Sequence, residues 1–161
     1  MALEMLTFNV FAVTFVDVLQ MARVLIPPLH HASHKGAMGR VGVFGGSRDY
    51  TGAPYYAATS ALKFGADLSF VFCSELASTP IKCYSPELMI TPVYRDAVFD
   101  ERSRNYHHAA SEEEINRAAS LVGDSMTRLH SLVVGPGMGR QDHVLAIAEQ
   151  VVKRARQNKR Q

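Results

Sequence analysis

Arg40-Val-Gly-Val-Phe-Gly45-Gly46-Ser47 is a short apolar run that ends in glycine. That pattern reads as a buried strand feeding a loop, and the loop runs on to Gly52. Beyond it, Ala53 to Gly65 carries Tyr56, Ala57, Ser60, Ala61 and Phe64 at helical spacing, with Gly65 as the stop. Asp67 to Cys73 is a second strand, and a helical connection leads to a third, Glu87 to Val93, bracketed by Pro86 and Pro92. Ser111 followed by Glu112, Glu113 and Glu114 opens a helix to about Val122, with an N-cap Ser and acids in the first turn. Leu129 to Val134 is the fourth strand and Asp142 to about Arg156 the last helix. Strands alternating with helices predict an α/β domain built on a parallel sheet.

The rest of the chain bounds the answer. It has 161 residues, 47% hydrophobic and 20% charged, so it can bury a core and is neither disordered nor fibrous. A net charge of +2 makes no demand for nucleic acid or an anionic membrane. Two cysteines, Cys73 and Cys83, exclude a disulfide scaffold and a cysteine-based zinc module. Leu6 to Leu19 is apolar-rich but too short to span a bilayer, and Glu4 and Asp17 suit neither a secretory signal nor a mitochondrial presequence. Residues 1–21 therefore read as an N-terminal extension with a short helix, and 22–161 as the globular part. Pro27-Pro28 ends whatever precedes it, and His30 to Gly39 is polar and turn-like. Gln157 to Gln161 follows the last helix with no further strand, so the sheet is expected to be incomplete at its C-terminal side, marginally stable alone and prone to associate.

Two glycine-rich loops carry the visible chemistry. Gly135-Pro-Gly137-Met-Gly139 follows an apolar strand and precedes a helix, so its backbone can turn sharply and present N–H groups to a phosphate. Its G-x-G-x-G spacing is not the dinucleotide fingerprint, and no P-loop Lys-Ser/Thr follows. Gly45-Gly46-Ser47 ends the first strand in the same manner. In an open parallel sheet both loops lie beyond the carboxyl ends of strands, where such folds bind ligands. Glycines that merely close βα turns explain each loop alone equally well. Other motifs fall away. Ser60-Ala-Leu-Lys63 lacks the partner motifs of penicillin-recognising enzymes, and Gly45-Gly-Ser47-Arg-Asp49 lacks the second glycine of a nucleophile elbow. His30, His31, His34, His107 and His108 fall in stretches of loop composition without metal-ligand spacing, so no metal site is expected. Lys153, Arg154, Arg156, Lys159 and Arg160 suit a helix C-terminus, and Cys73 reads as an inert core thiol.

His34-Lys-Gly-Ala-Met-Gly39 through Ser47, then Tyr50-Thr-Gly-Ala-Pro-Tyr55 and Ala61-Leu-Lys-Phe-Gly-Ala-Asp-Leu68, closely resembles the ATP/ADP-dependent NAD(P)H-hydrate dehydratases, metabolite-repair lyases of the ribokinase-like superfamily. Ser85-Pro-Glu-Leu88 and Val133-Val-Gly-Pro-Gly-Met-Gly-Arg140 continue the match in order, which covers about Ala22 to Val152 and reads nearest the eukaryotic, ATP-using branch. The resemblance implies a ribokinase-like fold, ATP and Mg2+ as cofactors, and dehydration of hydrated NADH or NADPH. It places Gly135, Gly137 and Gly139, with the Gly52-Ala53 turn, on the hydrated-dinucleotide side, Ala53 and Gly137 foremost; Asp49 and Lys35 either approach the ligand or organise the loop.

The family's later segments, including the Gly-x-Gly-Asp turn whose aspartate activates the hydroxyl, have no counterpart in these residues. Gly123-Asp124, at the end of the acidic helix, is no substitute. No catalytic residue is therefore expected here, and the chain reads as the N-terminal part of the enzyme, inactive alone. Two alternatives stay open: a ribokinase-like vitamin kinase, and a noncatalytic isoform that pairs with a full-length subunit. For partners, a homo-oligomer is the other association expected. A cytoplasmic setting is expected, with the mitochondrion as the alternative. A self-contained fold with an acidic side chain where the two glycine turns converge would defeat this reading.

Overall fold

The computed structural model describes residues 15–25, 31–96, 98–100, 105–107 and 110–158. His30, His108, Pro27-Pro28 and the tail residues Lys159 and Arg160 lie outside them. The chain forms two units, Met1–Ser33 and His34–Gln161. The first contains helix α1 (Phe15–Leu25), on which Val18, Met21 and Val24 are exposed.

The second unit holds β1 (Arg40–Phe44), α2 (Gly52–Phe64), β2 (Leu68–Ser74), α3 (Glu75–Tyr84), β3 (Met89–Tyr94), β4 (Val98–Asp100), β5 (Asn105–His107), α4 (Glu112–Met126), β6 (Ser131–Val134) and α5 (Asp142–Asn158). β1, β2, β3 and β6 form one sheet in the order β3-β2-β1-β6, with every pair parallel. Alternating side chains divide the core in two. Val43, Val71 and Cys73 pack under Ala58 of α2 and Ala77 and Ile81 of α3. Phe44, Phe72, Val93 and Tyr94 pack under Ala118, Ala119 and Val122 of α4 and Val144, Ile147 and Val151 of α5. The result is a helix–sheet–helix sandwich, as expected when both faces of a parallel sheet must be covered.

β6 departs from this cover. Leu132 and Val134 pack against the α4/α5 core, whereas Val133 on the opposite face is 43% exposed. β3 is the other edge, which is why Pro92 is tolerated within it: its missing N–H costs no interior ladder bond.

Several boundaries differ from those read off the sequence. α4 continues past Val122 to Met126, because Met126 packs on the core and Gly123 lets the Arg154 side chain of α5 come close. Its start is a complete capping box: Ser111 Oγ accepts the Glu114 N–H and a Glu114 carboxylate oxygen accepts the Ser111 N–H. Ser111→Ala is therefore expected to cost about 1 kcal/mol, read as a lowered thermal midpoint with unchanged cooperativity. Between β3 and α4 the chain inserts the antiparallel hairpin β4–β5, which the sequence reading omits. His107 thus belongs to a strand and not to a loop; three-residue strands are too short to show alternation.

Candidate functional site

β1 lies between β2 and β6, and the connections leaving β1 and β6 diverge, the first to α2 on one face and the second to α5 on the other. An open α/β sheet binds ligands in such a crevice, beyond the strands' carboxyl ends. The structure brings both glycine loops here. Gly135 N–H donates to Phe44 O at 2.9 Å, and Gly45 N–H donates to Phe72 O at 2.9 Å, continuing the ladders past the ends of the strands. A side-chain carbon on Gly45 would overlap the Pro136 carbonyl oxygen, so the loops lie backbone against backbone.

The same end of the sheet receives the start of α2. Gly52 and Ala53 are its first two helical residues; the turn expected there is helix, because the N-cap is Thr51. Thr51 makes no side-chain cap and there is no acid in the first turn; its hydroxyl is instead bonded to Tyr84 OH at 2.9 Å. The opening amides are therefore left for another acceptor, as at anion-binding helix starts. Gly137, at φ +63°, sits against this start: a carbon added to it would collide with the Tyr50 carbonyl and come within 3.0 Å of Pro54 Cδ. Met138 N–H donates to Gly135 O, whereas the N–H groups of Gly137 and Gly139 make no hydrogen bond among the described residues. Gly52, Ala53, Gly135, Gly137 and Gly139 thus share one rim. Lys35 does not join them. It borders a cavity of about 700 Å³ at the opposite, amino end of the strands, with Asp67, Lys63 and Glu87. There Asp67 organises the loop before β1: the Met38 N–H, and after it the Gly36 N–H, hold its carboxyl below the ordinary carboxylate range.

Ser47, Arg48, Asp49, Tyr50, Asp96, Gly139, Arg140 and Gln141 enclose a smaller cavity, about 190 Å³, where the loops meet. Arg48 Nε lies 3.0 Å from Asp49 Oδ1, and this hydrogen bond keeps the exposed Asp49 carboxyl low. From beneath, the end of β3 ties the first loop down. Tyr94 OH donates to Gly46 O at 2.6 Å, and Asp96 Oδ1 accepts the Arg48 N–H at 2.8 Å. Burial pushes the Tyr94 hydroxyl upward, so it stays a neutral donor. His143, at the start of α5, bonds through Nε2 to Arg95 O at 2.9 Å. Asp96 and Tyr94 escape a reading of the sequence alone. Their signal is positional: the third strand, read as ending at Val93, also delivers residues to the carboxyl end of the sheet. An acid does stand where the glycine turns converge, but β6 leaves the fold unwrapped on one face.

Among the described residues no group of three or more His, Cys, Asp or Glu side chains could hold a metal ion. Cys73 is buried, with its thiol pushed up to about 12 chiefly by desolvation, while Cys83 is exposed. A water-soluble thiol reagent at about pH 8 is expected to modify Cys83 in the folded chain and Cys73 only after denaturation, counted by mass spectrometry.

Residues 41–157 match the NAD(P)H-hydrate dehydratase family. The chain belongs to that family. It is 50% identical over 129 residues to the ATP-dependent (S)-NAD(P)H-hydrate dehydratase of Pongo abelii, covering 80% of this chain and 33% of the relative. A solved ribokinase-like superfamily protein from Enterococcus faecalis shares the fold at TM-score 0.58 and 22% identity, over 82% of this chain and 39% of that one. The ADP/ATP-dependent NAD(P)H-hydrate dehydratase of Bacillus subtilis, co-crystallised with ATP/Mg2+, does so at TM-score 0.53 and 19% identity, over 83% and 40%. The fold is therefore that of the ribokinase-like hydrate dehydratases, as the sequence reading expects. The chain spans 32 to 41% of the length of curated dehydratases it matches.

Proposed function

We propose that this chain forms the dinucleotide-cradling part of an enzyme that dehydrates (S)-NAD(P)H-hydrate to NAD(P)H at the expense of ATP. The observation that carries the reading is the shared rim of Gly137, Gly139 and the uncapped start of α2. A ring hydroxyl is a poor leaving group. Phosphoryl transfer from ATP converts it to a phosphate ester, and the ring nitrogen lone pair then expels phosphate as a neighbouring carbon loses a proton. Bare amides and a helix N-terminus are what this chain supplies to such polyanionic ligands. Mg2+ enters the reading with ATP, since it is commonly held by phosphates and one or two carboxylates. The acid that activates the hydroxyl is assigned to sequence outside these 161 residues.

Binding of hydrated NADPH to the purified chain, with ATP-dependent recovery of reduced-nicotinamide absorbance followed in parallel, tests both parts. Binding without turnover is expected. Loss of binding would overturn the cradle, and turnover by the chain alone would place the activating acid within it. The half-bare β6 strand favours a second reading, association with a full-length subunit or a second copy, which co-purification and sedimentation would detect. No described helix is long and apolar enough to cross a membrane. The two free thiols suit a reducing compartment, and the reading places the chain in the cytoplasm, with the mitochondrion as the alternative.

A further inference from the structure

Asp96 lies two residues beyond β3 and is 6% exposed, yet it is only half used. Oδ1 accepts the Arg48 N–H, while Oδ2 is buried with no hydrogen-bond partner. A buried carboxylate oxygen left unpaired is costly, so Oδ2 is poised to accept from a donor that the described residues do not supply. The neighbouring groups are committed elsewhere: Tyr94 OH to Gly46 O, and the Arg48 guanidinium to Asp49. Asp96 also lines the cavity between the two glycine loops, together with Ser47 and Gly139.

We propose that Asp96 is a ligand-binding residue of this site, its Oδ2 accepting a hydrogen bond from a hydroxyl or amide N–H of the bound nucleotide. The proposal rests on the dinucleotide reading above. A carboxylate oxygen repels phosphate, so this cavity receives a donor-bearing part of the ligand, a ribose, the carboxamide or the hydrated ring. The phosphates belong over the Gly137 and Gly139 amides and the start of α2. One carboxylate then does two things: through Oδ1 it holds the β1 loop, and through Oδ2 it reads the ligand.

The test uses the 161-residue chain labelled with 13C at its aspartate carboxyls and titrated with hydrated NADPH. The Asp96 Cγ resonance is expected to move with saturation while those of Asp67 and Asp124 stay still. Asp96→Asn keeps a carbonyl oxygen for Arg48 but replaces the free acceptor by a donor, and is expected to weaken binding about tenfold or more. Unchanged affinity of D96N, or a still Cγ resonance in a chain that binds, would overturn the role of Asp96 and leave the cradle standing. A Cγ shift produced by Mg2+ alone would overturn it in favour of a cation ligand. Failure of the wild-type chain to bind hydrated NADPH would remove the dinucleotide reading and this proposal together. Should D96N not fold, the wild-type carboxyl resonance decides.

Discussion

Gly45→Ala is expected to destabilise the chain by about 3 kcal/mol or more, because the added methyl has nowhere to go. It would overlap the Pro136 carbonyl oxygen and lie 3.0 Å from the Pro136 carbonyl carbon and 3.1 Å from its nitrogen. All three are backbone atoms, so relief requires moving the Gly135 loop away from β1, which strains the Gly135 N–H to Phe44 O bond. Gly42→Ala is the control within the same strand. Its methyl meets Leu129 Cδ1 at 2.6 Å and Leu132 Cδ1 at 2.9 Å, and these leucine methyls can rotate aside. Its cost is expected to be smaller, about 1–2 kcal/mol. Urea midpoints of the two variants check the order, and a G45A chain as stable as wild type would mean that the loops are not in backbone contact.

Gly137→Ala acts on ligand binding more than on the fold. The residue holds φ +63°, which an L side chain adopts at a cost of about 1 kcal/mol, and its new methyl collides with the Tyr50 carbonyl at the surface of the crevice. Gly137 is only partly buried at the surface of the crevice, so it can shift off the start of α2 while Pro136 stays on Gly45 and Met138 on the core. That displacement separates the Gly137 amide from the Gly52 and Ala53 amides. Hydrated NADPH affinity is expected to fall at least about tenfold while the thermal midpoint drops by only a few degrees. Calorimetric titration with a parallel melt separates the two effects. Intact affinity in a folded G137A chain would remove this loop from the cradle.

Much of this was legible in the residues, for identifiable reasons. The strand after Gly39 shows because β1 and β2, buried on both faces, read as continuous apolar runs. The start of α4 shows because Ser111 and Glu114 must satisfy each other's backbone amides. The hairpin did not show, since strands of three residues have no period to read. Asp96 stayed hidden because its partner, Arg48, lies 48 residues away, and neither sits in a recurring pattern.

Local chemistry in the chain was enough to specify an alternation of strands and helices, glycines at the strand ends and the capped start of α4, since each depends on neighbours a few residues apart. Strand order was not available from it. Arg40 N–H meets His130 Nδ1 across 90 residues, and the pairing of β1 with β6 that follows sets Gly45 on Pro136 and Gly137 on Tyr50. That choice belongs to tertiary packing, because only the docking of α2 and α3 on one face and α4 and α5 on the other decides which apolar strands lie side by side, and so which loops share a crevice.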